Sequence, residues 1–279
     1  MKALSPLRAA KHSARETSLI PAKSVVDKTA DETFDTVFDG SLKLVQGRAG
    51  YRFSLDAVLL AYFITIRDQE KIADLGTGNG VIPLILAYLY RSICLTGVEF
   101  QVTMAERAQR NVQLNGFDER IRIIQGDVRA IKNIAGPESF DAVVCNPPYR
   151  QPTSGRISPN AEKRLARHEC EGDLRDFIAA GAYLLGIKGR MAFIYSAVRS
   201  VELVESLRRT GVEPKRVRMV HSFAKAEASL ILVEGVKGGR SGVQVHAPLV
   251  IYEREEKYTP EIEAMLAGSL TCAAAKPAD

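Results

Sequence analysis

Long apolar runs are missing from this chain of 279 residues. The longest ones, such as residues 57–66, are about half the length that a membrane-spanning helix needs. Residues 1–33 contain no apolar segment of the kind that forms the centre of a secretory signal. The sequence therefore predicts a soluble cytoplasmic protein, and a hydrophobic content of 46% is enough to form a sizeable core.

Paired cysteines and clustered histidines are missing as well. The four cysteines stand singly at positions 94, 145, 170 and 272, without a C-x-x-C pair. The histidines at positions 12, 221 and 246 are far apart in the sequence. This pattern predicts neither a zinc site nor a disulfide framework, and we expect no metal cofactor.

Excess positive charge is scarce outside the first residues. Residues 1–30 hold six Lys or Arg against two acidic residues, a surplus of four out of the net charge of +5. Because the rest of the chain is close to neutral, its overall basic charge is a poor argument for nucleic acid binding. We interpret residues 1–33 as a flexible basic tail, and contact of this tail with an RNA backbone is the alternative.

The most informative feature that is present is the run Asn146-Pro147-Pro148-Tyr149, which follows the apolar strand pattern of residues 140–145. Each proline lacks an N–H group and restricts the residue before it, so the strand must open into a stiff loop. This loop offers the Asn146 side-chain oxygen and a backbone carbonyl as neighbouring hydrogen-bond acceptors beside an aromatic ring. Such an arrangement suits a planar amide or a nucleobase that carries an exocyclic NH2 group.

A glycine-rich turn, residues 74–80, lies upstream between a strand pattern and a helix pattern. In this context glycines allow a ligand to approach the backbone at the start of a helix. The dinucleotide-binding pattern would need a third glycine at position 81, which is Val. Asp74 would also repel a phosphate. A ligand with an amino-acid end and an adenosine end fits these residues better than NAD.

Two further strand patterns end in acidic residues. Residues 93–98 are followed by Glu99, which is spaced from the glycines like a carboxylate that accepts from ribose hydroxyls. Residues 121–126 are followed by Asp127. Since ligands of open α/β sheets bind beyond the carboxyl ends of the strands, we expect these residues, the glycine turn and the Asn146 loop to share one edge.

The remaining pattern predicts a mostly parallel sheet flanked by helices. Residues 38–46 and 51–53 predict a short hairpin, and the last two strands, residues 217–221 and 229–234, predict an antiparallel edge. The other predicted elements are helices at 55–66, 103–114, 173–185 and 201–209 and a strand at 190–196.

These motifs resemble the class I S-adenosylmethionine-dependent methyltransferases, and the Asn-Pro-Pro-Tyr run narrows the resemblance to enzymes that methylate an amino nitrogen. Residues 38–46, 50–57, 166–169 and 233–240 are similar to the bacterial tRNA1(Val) adenine-37 N6-methyltransferases. The resemblance covers residues 38–260. It implies a Rossmann-like α/β fold with a mostly parallel seven-stranded sheet, an antiparallel edge strand and a small N-terminal cap. The implied division is a tail at 1–33, the cap at 34–70, the methyltransferase domain at 71–260 and a C-terminal tail at 261–279.

The resemblance also implies roles for individual residues, with S-adenosylmethionine as the cofactor and RNA, in particular tRNA, as the partner. The implied catalytic residues are Asn146, Pro147, Pro148 and Tyr149. The implied cofactor-binding residues are Asp74, Gly76, Thr77, Gly78, Asn79, Gly80, Glu99, Phe100, Asp127, Val128 and Asn146. The implied substrate-binding residues are Tyr149, Arg150, Arg164, Arg167 and His168, in a stretch with a surplus of four positive charges that would attract phosphates.

Several alternatives share the same motif. A protein-glutamine N5-methyltransferase acting on release factors would offer its amide NH2 to the same acceptors, but that family carries a helical N-terminal domain. An rRNA guanine-N2 or DNA adenine-N6 methyltransferase is a further enzyme alternative. A cofactor-binding regulator or an RNA-binding module without turnover is the non-enzyme alternative, although binding alone does not need the two acceptors.

Overall fold

The computed structural model describes residues 32–48, 55–148 and 172–270. Its helices are α1 (Leu55–Phe63), α2 (Val81–Leu89), α3 (Val102–Leu114), α4 (Leu174–Leu184), α5 (Ser200–Arg209) and α6 (Pro260–Leu266), with short 3-10 helices at Val128–Asn133 and Ala197–Arg199. Its strands are β1 (Glu32–Val37), β2 (Leu42–Gly47), β3 (Lys71–Leu75), β4 (Cys94–Glu99), β5 (Ile121–Gln125), β6 (Phe140–Cys145), β7 (Leu185–Ser196), β8 (Val212–His221), β9 (Ala228–Lys237), β10 (Gln244–Val245), β11 (Leu249–Val250), β12 (Tyr252–Arg254) and β13 (Lys257–Tyr258).

Nine strands form the central sheet, in the order β10-β8-β9-β7-β6-β3-β4-β5, with β11 also paired to β8. Strands β3 to β7 are parallel, and β9 is antiparallel to both β7 and β8. The loop between β8 and β9 carries no helix, so the chain reverses into an antiparallel pair. The mostly parallel sheet is as predicted. The antiparallel strand β9 does not form the edge of the sheet, because it lies between β7 and β8. The two-residue strands β10 and β11 pair with the other side of β8.

Buried apolar side chains form one cluster on each face of this sheet. Along β6, Ala142 and Val144 belong to the cluster that contains α1, α2 and α6, whereas Val143 and Cys145 belong to the cluster that contains α4 and α5. This alternation follows from the two-residue repeat of a strand that is buried on both faces. The helices therefore cover both faces and leave the carboxyl ends of the parallel strands as the place for a site. No helix in the described ranges is long and apolar enough to cross a bilayer.

The first strand of the predicted N-terminal hairpin, residues 38–46, begins too early, because the strand starts at Leu42. β1 pairs with β2, with Val37 opposite Leu42, and residues 38–41 form the turn between them. Phe38 adopts a left-handed backbone conformation with φ 55° and is only 2% exposed, its ring centre 4.9 Å from that of Tyr88. A buried aromatic residue in such a turn is rare, which is why the apolar pattern misplaces the strand. Residues 51–53 lie outside the described ranges, and the predicted boundary between residues 33 and 34 falls inside β1.

Three strands extend beyond their predicted limits. β7 begins at Leu185 rather than at 190, β8 begins at Val212 rather than at 217, and β9 continues to Lys237. The pairing of β6 with β7 shifts register between Phe140 and Ala142, and the pairing of β8 with β9 shifts near Pro214. Such irregularities allow glycine and proline residues within a strand. In the sequence these residues indicate loops, so the predicted strands are too short.

The predicted C-terminal tail, residues 261–279, begins too early in the chain. Residues 260–266 form α6, whose Ile262 is fully buried and whose Met265 is 4% exposed against the cluster that contains α1. Pro260 occupies the first helical position, where its missing N–H group costs nothing. The packed domain therefore includes this last helix.

Replacing Ile262 by Ala should lower the free energy of unfolding by about 2 to 5 kcal/mol, because it removes a fully buried side chain and leaves a cavity. The exposed neighbour Glu263 provides a matched control in Glu263→Ala, which should change stability by less than about 0.5 kcal/mol. Urea unfolding of both variants checks this. Equal stability of the two variants would mean that α6 does not belong to the core.

Candidate active site

The pairing register of β3 brings three strand ends together. Leu75 is the partner of Cys145 on β6 and of Val98 on β4. Because neighbouring strands lie about 4.8 Å apart, the next residues along these strands, Asn146 and Glu99, flank the glycine turn on opposite sides. The predicted meeting of the strand ends at one edge of the sheet is therefore present.

The turn after β3 uses its own N–H groups internally. Those of Gly76 and Thr77 donate to the Val98 carbonyl, that of Gly80 donates to the Thr77 carbonyl, and that of Gly78 donates to a carboxylate oxygen of Glu99, all at 2.8 to 3.0 Å. Gly76, Gly78 and Gly80 have φ values of 74°, 58° and 79°, which glycine adopts without strain. Since these four donors are engaged, they cannot cradle a phosphate, in agreement with the rejection of a dinucleotide site.

Asp74 is the most unusual group at this edge. It is fully buried, and neither oxygen of its carboxylate has a hydrogen-bond partner among the residues that the structure describes. Burial raises the pKa of this carboxyl group from its usual 3.8 to about 7. The nearby Thr77 hydroxyl, which does not reach hydrogen-bonding geometry, opposes the rise, and the charge of Glu99 adds to it. A buried carboxylate without a partner is costly, so this position suits a ligand that brings a positive charge.

Glu99 is held in a fixed position. It is 6% exposed, and its two carboxylate oxygens accept from the N–H groups of Gly78 and Gln101, each at 2.8 Å. A carboxylate oxygen accepts more than one hydrogen bond, so Glu99 keeps the capacity to bind hydroxyl groups of a ligand. The next residue, Phe100, accepts from the Gln125 side chain through its carbonyl, at 3.0 Å.

Asp127 is engaged by a neighbour on the same short helix. Its carboxylate accepts from the N–H group of Arg129 at 2.8 Å and forms an ion pair with the guanidinium of Arg129 at 2.7 Å. These hydrogen bonds lower the pKa of Asp127, so it stays ionised as an acceptor. Val128, also among the predicted cofactor contacts, is 5% exposed and packs in the cluster that contains α4.

The Asn-Pro-Pro loop leaves β6 beside the turn. The Cys145 thiol donates to the Leu75 carbonyl at 3.2 Å, which ties the end of β6 to the end of β3. Pro147 is buried, and Asn146 and Pro148 are partly exposed. The predicted residues Tyr149, Arg150, Arg164, Arg167 and His168 lie outside the described ranges.

Asn79 faces α3 rather than the open edge. Its side-chain oxygen accepts from Arg107 at 3.2 Å, its carbonyl accepts from the Asn111 side chain at 3.0 Å, and it is 3% exposed. The Asn79 side chain therefore contacts α3, and a cofactor contact of this residue stays a prediction. The sequence contains one signal that Asn111 contacts the turn. Asn111 is a polar residue on the helix face that also carries the buried Ala105, Ala108 and Val112.

Other supports of the turn are small or apolar residues that the sequence does not single out. A Cβ atom at Gly97 would lie 2.8 Å from the Thr77 hydroxyl oxygen, so this glycine makes room for the turn. A Cβ atom at Gly80 would lie 3.1 Å from Ala108, and one at Gly76 would lie 3.1 Å from the Phe177 ring. The turn is thus enclosed by β4, α3 and α4. The described part of the chain contains no group of acidic, His and Cys residues suited to a metal ion.

Residues 54–170 match the family described as methyltransferase small domain. The match contains the turn after β3, the end of β4 and the loop after β6, which together form the edge described above. The chain carries a methyltransferase domain of the class I fold. The predicted enzyme class is confirmed.

Three curated relatives share one name, tRNA1(Val) (adenine(37)-N6)-methyltransferase. The relative from Tolumonas auensis is 27% identical over 79% of this chain and 90% of its own length. The relative from Haemophilus influenzae (strain PittEE) is 26% identical over 77% of this chain and 89% of its own length. A relative from Porphyromonas gingivalis is 31% identical over 59% of this chain and 65% of its own length.

Solved structures support the fold. A protein from Agrobacterium tumefaciens, described as a predicted O-methyltransferase, superposes with a TM-score of 0.64 and 24% identity over 77% of this chain and 96% of its own. A putative transferase from Pyrococcus horikoshii superposes with a TM-score of 0.51 and 13% identity over 75% of this chain and 72% of its own. At these identities the similarity shows the fold alone, and the predicted class I fold is confirmed.

The burial of Asp74 leads to a testable prediction about the stability of the ligand-free methyltransferase. Because its pKa is raised in the folded state, the stabilisation from its protonated form is fully present below the usual 3.8 and is lost as pH rises through about 7. Asp74→Asn should therefore gain stability relative to the wild type as pH rises, by about 1.4 kcal/mol per pH unit between about pH 5 and 7. Urea unfolding of both proteins at several pH values measures this difference, and a difference that does not change with pH would contradict the burial of an unpaired carboxyl group.

Proposed function

We propose that this enzyme transfers a methyl group from S-adenosylmethionine to the exocyclic N6 amine of an adenine in RNA, namely adenine 37 in the anticodon loop of a valine tRNA. The observation that carries the proposal is the position of the Asn146 loop directly beside the Asp74 turn, in the register of β3 and β6. The names of the curated relatives support the choice of nucleotide.

The residues around the turn fit the cofactor. Asp74 offers a buried carboxylate without a hydrogen-bond partner among the described residues, which suits the ammonium group of the amino-acid end. Glu99, fixed by two backbone N–H groups, suits the ribose hydroxyls. The cofactor has no phosphate, which agrees with a turn in which the N–H groups of Gly76, Thr77, Gly78 and Gly80 are engaged. When bound there, S-adenosylmethionine supplies a methyl group that its sulfonium charge activates.

The Asn146 loop would act on the amine of the substrate. The N6 lone pair of adenine is delocalised into the ring, so the nitrogen is a weak nucleophile. The Asn146 side-chain oxygen and the Pro147 carbonyl would accept the two N6 hydrogens, favour a tetrahedral nitrogen and orient its lone pair toward the methyl group. The proton leaves after transfer, so the site needs no strong base.

The anticodon loop fits a site of this kind because its bases are not paired. An adenine must leave its stack before its amine can reach the two acceptors, and this step costs least in a single-stranded loop. In this proposal Tyr149 stacks on the target base, and Arg164 and Arg167 hold phosphates of the RNA. These three residues are proposed contacts, since they lie outside the described ranges.

Asn146→Ala should lower kcat by about 100-fold or more, because it removes a preorganised acceptor that is needed most in the transition state. The affinity for S-adenosylhomocysteine should change little. Asn133→Ala, at an exposed asparagine that ends a 3-10 helix, is the matched control and should keep wild-type turnover. Turnover is measured as labelled methyl incorporated into tRNA. A wild-type rate in Asn146→Ala would contradict the proposed role of the loop.

The substrate is tested with unmodified valine tRNA, the same tRNA with guanine in place of adenine 37, and a release-factor protein. Mass spectrometry of the digested products should find N6-methyladenosine in the first and no methylation of the other two. Methylation of the guanine-37 tRNA at another adenine would contradict the assignment of adenine 37 as the target. Methylation of a release-factor glutamine, with none in tRNA, would favour the protein N5-methyltransferase, because an amide NH2 fits the same acceptors.

A further inference from the structure

We infer that Asn111 is a positioning residue through which the N-terminal hairpin, β1 and β2, sets the conformation of the cofactor-binding turn. The inference rests on the proposed function of that turn. It assigns to the hairpin an influence on cofactor affinity, although the hairpin forms a separate two-stranded sheet that is not hydrogen-bonded to the central one.

The side chain of Asn111 joins the hairpin to the turn. It is fully buried, and its oxygen accepts from the N–H group of Val45 at 2.7 Å. Its amide nitrogen donates to the carbonyl of Val45 at 3.0 Å and to the carbonyl of Asn79 at 3.0 Å. Both donors of the amide are therefore used, one on each side, and Val45 and Asn79 cannot move apart without breaking a buried hydrogen bond.

A second connection runs from the other strand of the hairpin to the same residue of the turn. Glu32 on β1 is 3% exposed and forms an ion pair with Arg107 at 2.9 Å. Arg107 in turn donates to the side-chain oxygen of Asn79 at 3.2 Å. Arg110 also pairs with Glu32, which fixes the carboxylate against α3. Both strands of the hairpin thus reach Asn79 through α3.

Asn79 occupies a position from which a displacement would reach the cofactor. On one side Gly78 binds Glu99, the proposed ribose acceptor, through its N–H group. On the other side Gly80 leaves no space toward α3, since an added Cβ atom would lie 3.1 Å from Ala108. A shift of Asn79 would therefore change the hydrogen bond that holds Glu99. An isolated two-stranded hairpin is marginally stable, so its conformation depends on the bonds with α3.

The chain contains a matched control one helical turn after Asn111, at Asn115, the C-cap residue of α3. The side-chain oxygen of Asn115 accepts from the N–H group of Lys43 at 2.9 Å, and its nitrogen donates to the Lys43 carbonyl at 2.8 Å. Its second donor is used within the same helix, on the carbonyl of Asn111 at 2.7 Å. Asn115 therefore holds the hairpin in the same way as Asn111 but makes no hydrogen bond with the turn.

The test compares Asn111→Ala with Asn115→Ala in the full chain, with S-adenosylhomocysteine as the probe in calorimetry. Both variants should lose thermal stability. Only Asn111→Ala should weaken binding of the probe, by about tenfold, because one buried hydrogen bond to the turn is lost. Its KM for S-adenosylmethionine should rise in proportion while its KM for tRNA stays near that of the wild type.

A measurement on the wild type decides the question if Asn111→Ala fails to fold. Coupling is reciprocal, so the probe should slow hydrogen exchange at the Val45 amide more than at the Lys43 amide. Two results would overturn the inference and leave the proposed function in place. One is an equal effect of the two variants on probe affinity. The other is an equal effect of the probe on hydrogen exchange at the Val45 and Lys43 amides. A wild type that does not bind the probe would overturn both.

Discussion

The site depends on the in-register parallel pairing of β3 with β4 on one side and β6 on the other. Side chains alternate along a strand, so a shift of β3 by one residue would turn Asp74 and Leu75 to the opposite faces. The same shift would move the turn away from Asn146 and Glu99. The apolar side chains of β3, which are buried in both clusters, fix this register because a shift by one residue would move each of them into the cluster on the opposite face. Core packing and site geometry are therefore one constraint.

The burial of a carboxyl group, that of Asp74, follows from this register. The fold places the Asp74 carboxylate where no described residue forms a hydrogen bond with it, and the N–H groups of Gly76, Thr77, Gly78 and Gly80 donate to other acceptors. In the proposed function, a buried carboxylate without a partner among the described residues, beside four engaged N–H groups, disfavours a phosphate and favours a cationic group. The glycine turn thus resembles a nucleotide-binding loop in sequence, while its charge and hydrogen bonding suit a different ligand. In the proposed function, the Asn146 side chain and the Pro147 carbonyl then add the two acceptors for the amine.

Much of this arrangement is predictable from the sequence because it is encoded locally. Apolar runs, glycines and the two prolines identify β3 to β6 and the residues that end them, and parallel pairing then brings these ends together. The hairpin register is not predictable in this way, because Phe38 is a buried residue in a turn. The bond between Asn111 and Val45 links residues that are far apart in the chain, and only the packed structure shows it. The pairing of Asp127 with Arg129 is local, but either residue could equally face solvent or ligand.

Proton release on binding S-adenosylhomocysteine tests the central claim, that Asp74 receives the cationic end of the cofactor. Below its raised pKa the free carboxyl group is mostly protonated, and an ammonium group favours the ionised form. Calorimetry in two buffers of different ionisation enthalpy should show release of a large fraction of one proton at about pH 6 and little at about pH 8, with none for Asp74→Asn. Binding heats at about pH 6 that do not depend on the buffer would contradict the claim.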